Sequence, residues 1–119
     1  MVYSGDTMEF ACKKIDVQDI IACSLGLKKS EYKIFEEMLQ SDHVTLKDLS
    51  KKLSLDRTTL QKVLKRFSDN ELVERFQENL DNGGYVFVYK IKDKTVLKKR
   101  INIAIDKWHM TAKMAIDKW

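Results

Sequence analysis

The side chains best suited to bind a polar or anionic partner are concentrated between positions 57 and 66. Hydrogen-bonding groups come first and cations follow: Arg57, Thr58, Thr59, Gln61, Lys62, Lys65 and Arg66. A guanidinium, hydroxyls and an amide can pair with the edges of planar polar groups, whereas ammonium groups act as point charges on anions. The stretch therefore predicts one surface with a hydrogen-bonding part and a mainly electrostatic part.

An apolar side accompanies these polar groups and predicts that the stretch is helical. Four apolar residues recur at i, i+3, i+4 and i+7, the spacing of a buried helical stripe: Leu60, Val63, Leu64 and Phe67. Asp56 stands where an N-cap is expected. On such a helix Thr58, Lys62 and Lys65 point away from the stripe. Because lysine and arginine on an exposed helix are usually solvated surface, the neighbouring elements have to decide what this face does.

Helices are also predicted on the N-terminal side of this stretch. One begins near Thr7, and a second, over 16–25, has Asp16 as its N-cap and Gly26 as its stop. Ser30 can cap the next helix, "EYKIFEEMLQ", whose inner stripe is Tyr32, Phe35, Met38 and Leu39. The segment "SDHVT" then predicts a break with a short strand.

A very short helix is predicted just before the polar stretch. In "TLKDL", Thr45 and Asp48 match the Ser/Thr-x-x-Asp/Glu form of a capping box. Three leucines line one face of this helix: Leu46, Leu49 and Leu53. Only residues 54–56 separate it from the helix that begins at 57, a turn too tight for long antiparallel neighbours. The two elements together predict a helix-turn-helix.

After Phe67 the apolar residues change to a period of two. Side chains from 85 to 92 alternate, and Asn82-Gly83 is a strong signal for a tight type I′ hairpin turn. From about Thr95 the helical pattern returns and continues to the end. The predicted fold is therefore mainly α with a small β-hairpin, in which a hairpin follows the helix-turn-helix as a wing and a long C-terminal helix comes last.

The C-terminal helix carries an apolar seam along its length. The spacings of 4, 3, 4, 3 and 4 residues give the 3.5-residue period of a helix packed along another helix: Ile101, Ile105, Trp108, Ala112, Ala115 and Trp119. Uncovered, the seam would be an apolar patch large enough to need a partner. We therefore expect a homodimer through this helix, and the N-terminal helix is a candidate to join the interface. The alternative, that the seam only covers the domain's own core, stays open.

Composition and charge distribution bound the class of protein. The 119 residues have a net charge of +4 and are 44% hydrophobic, which suits one domain with a modest core. Positions 28–66 hold ten basic and six acidic residues, and positions 90–100 hold six basic and one acidic. Positions 67–89 instead hold five acidic residues and one arginine. Such clustering is the weak form of a nucleic-acid footprint.

Nothing in the sequence indicates catalysis, a metal or a cofactor. Cys12 and Cys23 have no zinc-ligand spacing, so we expect two small buried residues in a reducing compartment, with a disulfide or redox switch as the alternative. Because we find no nucleophile–base pair and no phosphate-binding loop, we do not expect an enzyme. No run is apolar enough to span a bilayer and the start lacks a signal-peptide pattern, so we expect a cytoplasmic protein.

The segment "DLSKKLSLDRTTLQKVLKRFSDNELVERF" resembles the winged helix-turn-helix of prokaryotic transcription regulators. The matching positions are Leu49, Ser50, Leu53, the tetrad Asp56 to Thr59, Leu60, Leu64, Phe67, Leu72, Val73 and Arg75. Upstream, "LGLKKSEYKIFEEML" is similar to the TrmB-like archaeal regulators, and the resemblance covers about 16–92. Two glycines of the pattern are replaced, one by Ser54 and one by Asn70-Glu71, where Asn70 can adopt a left-handed conformation. Longer members carry a sugar-binding domain for which this chain has no room, so sugar sensing is not expected.

The resemblance implies that the helix near 57–67 enters the major groove of double-stranded DNA. Arg57 is then expected to pair with guanine and Gln61 to read adenine. Thr58 and Thr59 are expected to meet phosphate, base edges or a thymine methyl group. Other residues are expected to hold phosphates: Thr45, Lys47, Lys62, Lys65, Arg66 and Lys90. Since the wing carries Glu78 and Asp81 near its tip, we expect a weak wing contribution.

The sequence thus predicts a single domain with three parts. These are an N-terminal helix at 7–29, the winged helix-turn-helix at 30–92 and a C-terminal dimerisation helix at 93–119. The predicted function is that of a dimeric, sequence-specific transcription regulator on a palindromic operator, with half-sites about one helical turn apart, roughly 34 Å. The rival interpretation is a winged-helix module that binds another protein in a transcription or other macromolecular complex, which the acidic wing also fits.

Overall fold

The computed structural model describes residues 7–119 and divides into two compact units. One unit contains the described residues up to Lys29 together with Thr95–Trp119, and the other is Ser30–Lys94. The second unit coincides closely with the predicted winged helix-turn-helix at 30–92. That the three predicted parts make up one domain stays a prediction.

The first unit begins with a pair of antiparallel strands. Strand β1 is Thr7–Phe10 and β2 is Lys13–Asp16, in a register that places Phe10 opposite Lys13. The prediction of a helix that begins near Thr7 is therefore wrong. Ala11 adopts a positive φ of 52°, which reverses the chain after only four residues and leaves no room for helical turns.

Two helices complete the first unit. Helix α1 is Val17–Ser24, and its predicted N-cap is confirmed, because the Asp16 carboxylate accepts a hydrogen bond from the Gln18 N–H at 3.0 Å. Gly26, with a φ of 71°, follows the helix as the predicted stop. The C-terminal helix, which we number α5, runs over 24 residues, Lys94–Asp117.

The second unit has the order predicted for a winged helix-turn-helix. Its helices are α2 (Lys29–Leu39), α3 (Leu46–Leu53) and α4 (Arg57–Asp69), and its strands are β3 (Val44–Thr45), β4 (Val73–Asn79) and β5 (Tyr85–Ile91). The strands form one antiparallel sheet in the order β3-β5-β4. Both the short strand in "SDHVT" and the hairpin are thereby confirmed.

A continuous apolar core joins the helices of the second unit to its sheet. Its buried members are Ile34, Phe35, Met38, Val44, Leu49, Leu60, Leu64, Phe67, Leu72, Val73 and Val88. Phe35 of α2 meets Phe67 of α4 edge to face, with ring centroids 6.1 Å apart. Burying one such side chain contributes about 1.5–3 kcal/mol, so this core is what fixes the position of α4.

The turns of the second unit differ in part from the predictions. Ser54, in place of the usual glycine, is left-handed with a φ of 54°. At Asn70-Glu71, which replaces the second glycine of the family pattern, the left-handed residue is Glu71, with a φ of 57°. The prediction that Asn70 adopts the left-handed conformation is wrong, since its φ is −90°. The prediction of a two-residue turn at Asn82-Gly83 is also wrong. Since Asn79 pairs with Tyr85, five residues form the loop, and the positive φ angles fall on Gly83 and Gly84.

Candidate nucleic-acid interface

The start of α4 is fixed by its cap. The Asp56 carboxylate accepts a hydrogen bond from the Thr59 N–H at 3.3 Å, which satisfies one of the donors that a helix start leaves without a partner. A hydrogen bond with the Thr59 side chain is the main cause that lowers the pKa of Asp56 from its ordinary value of 3.8, and the positive charge of Lys62 adds to it. The first turn of α4 is therefore held in place by the cap predicted from the sequence.

Helix α4 separates apolar from polar residues as predicted. Leu60, Leu64 and Phe67 are buried and Val63 is half-buried. All seven polar residues singled out in the sequence are exposed: Arg57, Thr58, Thr59, Gln61, Lys62, Lys65 and Arg66. The helix thus presents an unbroken polar and basic face, and a DNA-contacting role for these residues stays a prediction.

The N-terminus of α3 is tied to the sheet. The Thr45 hydroxyl accepts a hydrogen bond from the Asp48 N–H at 3.1 Å, so this predicted phosphate contact is the N-cap of α3. Thr45 also belongs to β3 and pairs with Val88 of β5. Lys47, in the first turn, is exposed. The sheet therefore sets where this helix start lies relative to the wing.

Two of the predicted phosphate contacts form ion pairs within the second unit. Lys65 lies 3.1 Å from Asp69, one helical turn further on, and both side chains are largely exposed. Arg66 pairs with Glu31 of α2, where its Nη2 donates to Oε1 at 3.3 Å. An exposed pair such as Lys65–Asp69 opens easily toward a phosphate, whereas Arg66 is bound to a carboxylate that is only 4% exposed.

Glu31 is the site residue that the sequence reasoning missed. The structure buries it to 3% exposure. The pattern contained the signal: Glu31, Ile34, Phe35 and Met38 are the i, i+3, i+4 and i+7 positions of α2, and all four are buried. A carboxylate in a buried stripe requires a partner, and Arg66 of α4 supplies one.

The hairpin has two chemically different faces. Side chains alternate between the two faces along the paired strands. One face, which we call the near face, consists of Arg75, Gln77, Asn79, Tyr85, Phe87 and Tyr89. The opposite face, which we call the far face, consists of Glu74, Phe76, Glu78, Val86, Val88 and Lys90. On the near face the Arg75 guanidinium lies 4.3 Å from the centre of the Phe87 ring, and Tyr85 packs on Phe87. On the far face the Lys92 Nζ lies 3.4 Å from the Glu74 Oε1.

A groove of about 340 Å³ separates α4 from the near face of the hairpin. It is lined by Gln61, Leu64, Lys65, Ser68, Asp69, Arg75 and Tyr89. Two exposed residues of the α4 face, Gln61 and Lys65, thus share a groove with Arg75. Lys90, which the sequence predicts as a backbone contact, is exposed on the far face, and its contact with DNA stays a prediction.

The apolar seam of α5 is partly covered and partly bare. Ile101 and Ala112 are half-buried, and Ala115 is exposed. Ile105 is 39% exposed, Trp108 62% and Trp119 fully. A second group of exposed apolar residues lies outside the seam: Val96, Ile103, Met110, Met114 and Ile116. The monomer leaves most of the predicted dimer interface open to solvent.

The prediction that both cysteines are buried is wrong. Cys12 follows Ala11 in the turn between β1 and β2, Cys23 lies near the end of α1, and both are exposed free thiols. Among the described residues, no group of three metal-ligating side chains is placed to hold an ion. Over the same part of the chain, no helix has the length and apolar content to span a membrane.

The family of this chain follows from its match over residues 22–95 to the model described as the sugar-specific transcriptional regulator TrmB. The chain belongs to this family. The matched segment contains the second unit and the end of α1, so the predicted resemblance is confirmed. Two archaeal relatives, the uncharacterised proteins MJ1503 and MJ1082 of Methanocaldococcus jannaschii, are 28% and 27% identical over 82% and 85% of this chain and 74% and 83% of their own.

Solved structures agree with a winged-helix regulator of the TrmB family. A chain described as a possible transcriptional regulator from Methanosarcina mazei Go1 is 33% identical, with a TM-score of 0.80 over 98% of both chains. A mutant MarR of E. coli complexed with operator DNA is 17% identical, with a TM-score of 0.53 over 74% of this chain and 64% of that one. At that identity the likeness to MarR shows the fold alone, and it places this TrmB-family chain among winged-helix folds.

Proposed function

We propose that this TrmB-family protein is a transcription regulator that binds double-stranded DNA sequence-specifically as a homodimer. The observation that carries the proposal is the exposed face of α4, on which every exposed residue from Arg57 to Arg66 is polar or basic, while the opposite side is buried in the core. A capped helix with short polar groups and an arginine at its start suits the major groove, where its first turns reach base edges. Arg57, Thr58, Thr59 and Gln61 would then read bases.

The remaining residues of the interface would hold the sugar-phosphate backbone. Lys62 and Lys65 are exposed cations on the same helix as the base-reading residues. Lys47 is exposed in the first turn of α3, the helix that Thr45 caps. Arg66 would contribute through the exposed part of its side chain, since about half of that side chain reaches solvent. Contacts of this kind set register and orientation without reading sequence.

The bare seam of α5 supports the dimer. Two protomers joined through this helix would present two copies of α4 to half-sites about one helical turn apart, roughly 34 Å, on a palindromic operator. The exposed tryptophans Trp108 and Trp119 would supply the largest share of the buried apolar area.

Selection of duplexes from a random pool, followed by affinity measurements at several salt concentrations, tests the proposal. We expect a palindromic consensus and a log–log salt slope of about −0.9 for each phosphate contact. Arg57→Ala should lose discrimination at one base pair of each half-site, about 1–3 kcal/mol per pair. Lys33→Ala, which removes an exposed positive charge from α2, is the matched control. Binding that is absent or insensitive to salt would reject the proposal and favour the protein-binding module.

A further inference from the structure

We propose that the wing meets DNA through its near face, with Arg75 as the phosphate-binding residue, and that the carboxylates of its strands, Glu74 and Glu78, point away from the duplex. This rests on the proposed function of α4. The charge pattern along the chain does not point to Arg75, because it is the single basic residue among five acidic residues between 67 and 89. In the folded hairpin that excess of acid is not shared equally between the two faces.

Two sets of contacts establish the faces of the hairpin independently. Arg75 contacts Phe87, and Phe87 contacts Tyr85, so these three side chains share a face. Lys92 reaches Glu74 at 3.4 Å, which places Glu74 on the other. Since successive residues of a strand alternate, Glu78 shares the face of Glu74, and Lys90, paired with Glu74 across the strands, lies there too.

The groove beside α4 identifies which of these faces continues the recognition helix. Gln61 and Lys65, both on the exposed face of α4, line the same groove as Arg75 and Tyr89. A duplex that seats α4 in its major groove therefore passes the near face as it leaves the helix. On that course Arg75 is the first cation of the hairpin that a phosphate meets.

Charge on the near face favours such an approach. In the paired part of the hairpin this face carries one cation and two amides, Gln77 and Asn79, and no carboxylate. Glu74 and Glu78 both lie on the far face beside Lys90, and Asp81 lies in the loop and belongs to neither. A phosphate near Lys90 would face two carboxylates of the same hairpin face. Beside Arg75 the carboxylate in the groove is Asp69 of α4, and Lys65 lies 3.1 Å from it and offsets its charge.

The side chain of Arg75 is also arranged for a planar anion. The Phe87 ring supports its guanidinium from one side at 4.3 Å, which restricts the arginine before binding. A guanidinium on an aromatic ring keeps its in-plane N–H groups for a bidentate partner such as a phosphate. Gln77 and Asn79 extend the same row of donors over about 14 Å toward the tip, since a strand rises about 3.4 Å per residue.

Matched charge removals on the two faces test the inference. Arg75→Gln and Lys90→Gln each remove one charge from the same hairpin, and affinity for the selected duplex is measured between 50 and 300 mM salt. We expect Arg75→Gln to reduce the salt slope by about 0.9 and to weaken binding about tenfold, and Lys90→Gln to stay within about twofold of the wild type. Arg75→Lys, which keeps the charge, should retain the slope, and circular dichroism checks that all variants fold.

The outcomes separate this inference from the function on which it rests. If the wild type binds no duplex in a salt-dependent manner, the proposed function fails and the inference falls with it. If the wild type binds but Arg75→Gln keeps its slope, α4 acts alone and the near face is not an interface. If Lys90→Gln weakens duplex binding as much as Arg75→Gln or more, the assignment of faces is likewise overturned.

Discussion

Replacing Arg66 with methionine should destabilise the protein far more than removing the neighbouring lysine. Methionine keeps much of the arginine's apolar stem but removes the charge that pairs with Glu31. Glu31 then remains in a site where its side chain is only 4% exposed. Lys65→Met is the control, because Lys65 and its partner Asp69 are both largely exposed.

The size of the effect follows from the exposure of the two partners. Breaking a fully buried pair costs about 3–5 kcal/mol, and breaking an exposed one about 0–1 kcal/mol. Here the carboxylate is buried, but the guanidinium side chain is 53% exposed, and Glu31 has a further interaction besides Arg66. We therefore expect about 2 kcal/mol for Arg66→Met, below the fully buried range, and less than about 0.5 kcal/mol for Lys65→Met.

Thermal and urea unfolding at one fixed protein concentration measure both variants, since any self-association would make the stability depend on concentration. For a chain of this length 2 kcal/mol corresponds to a fall in Tm of roughly 6–10 °C. The double variant Glu31→Leu/Arg66→Met should recover at least half of the loss, because an apolar pair leaves no buried charge without its partner.

Two results would refute this reasoning. If Arg66→Met falls within about 0.5 kcal/mol of Lys65→Met, the pair behaves as an ordinary surface contact. If the loss of stability in the double variant equals the sum of the losses in Glu31→Leu and Arg66→Met measured singly, Glu31 and Arg66 are not coupled and the link between α2 and α4 is not electrostatic.

Three further predictions concern the cap, the seam and a turn. Asp56→Asn should lower Tm at neutral pH, and the difference from wild type should close as pH falls below about 4, because a carboxyl of lowered pKa stabilises the fold only while ionised; a constant difference would contradict the assignment. The double variant Ile105→Glu/Trp108→Glu should give monomers by light scattering, and a persistent dimer would show that the seam of α5 is not the dimer interface. Ser54→Gly, at a φ of 54°, should stabilise by about 0.5–1 kcal/mol in urea unfolding, and a loss would show that no strain is stored there.

The parts of the site that depend on local sequence were predictable. Asp56 and Thr45 cap their helices as expected, because a cap is decided within three or four residues of chain. The two sides of α4 likewise follow from the spacing of Leu60, Leu64 and Phe67. Apart from Thr45, these are also positions on which the family resemblance depends.

What the sequence could not provide depends on contacts distant along the chain or on strand register. Arg66 and Glu31 are 35 positions apart, and their ion pair exists only because the core brings α2 and α4 together. The two faces of the wing could not be assigned while the turn was placed at Asn82-Gly83. Only the observed pairing of Asn79 with Tyr85 puts Arg75 opposite Tyr89 and Glu74 opposite Lys90.

The five-residue loop at the wing tip offers a place where this protein can be engineered. Its two glycines have open space around them, since an added Cβ would meet no atom within 4 Å, and only their positive φ angles restrict the sequence there. At the other end of the hairpin, β3 and the hydrogen bond from the Lys92 N–H to the Leu72 carbonyl hold the strands. Loops of other lengths, or a peptide tag, can therefore be grafted between Asn79 and Tyr85 while the helices keep their frame.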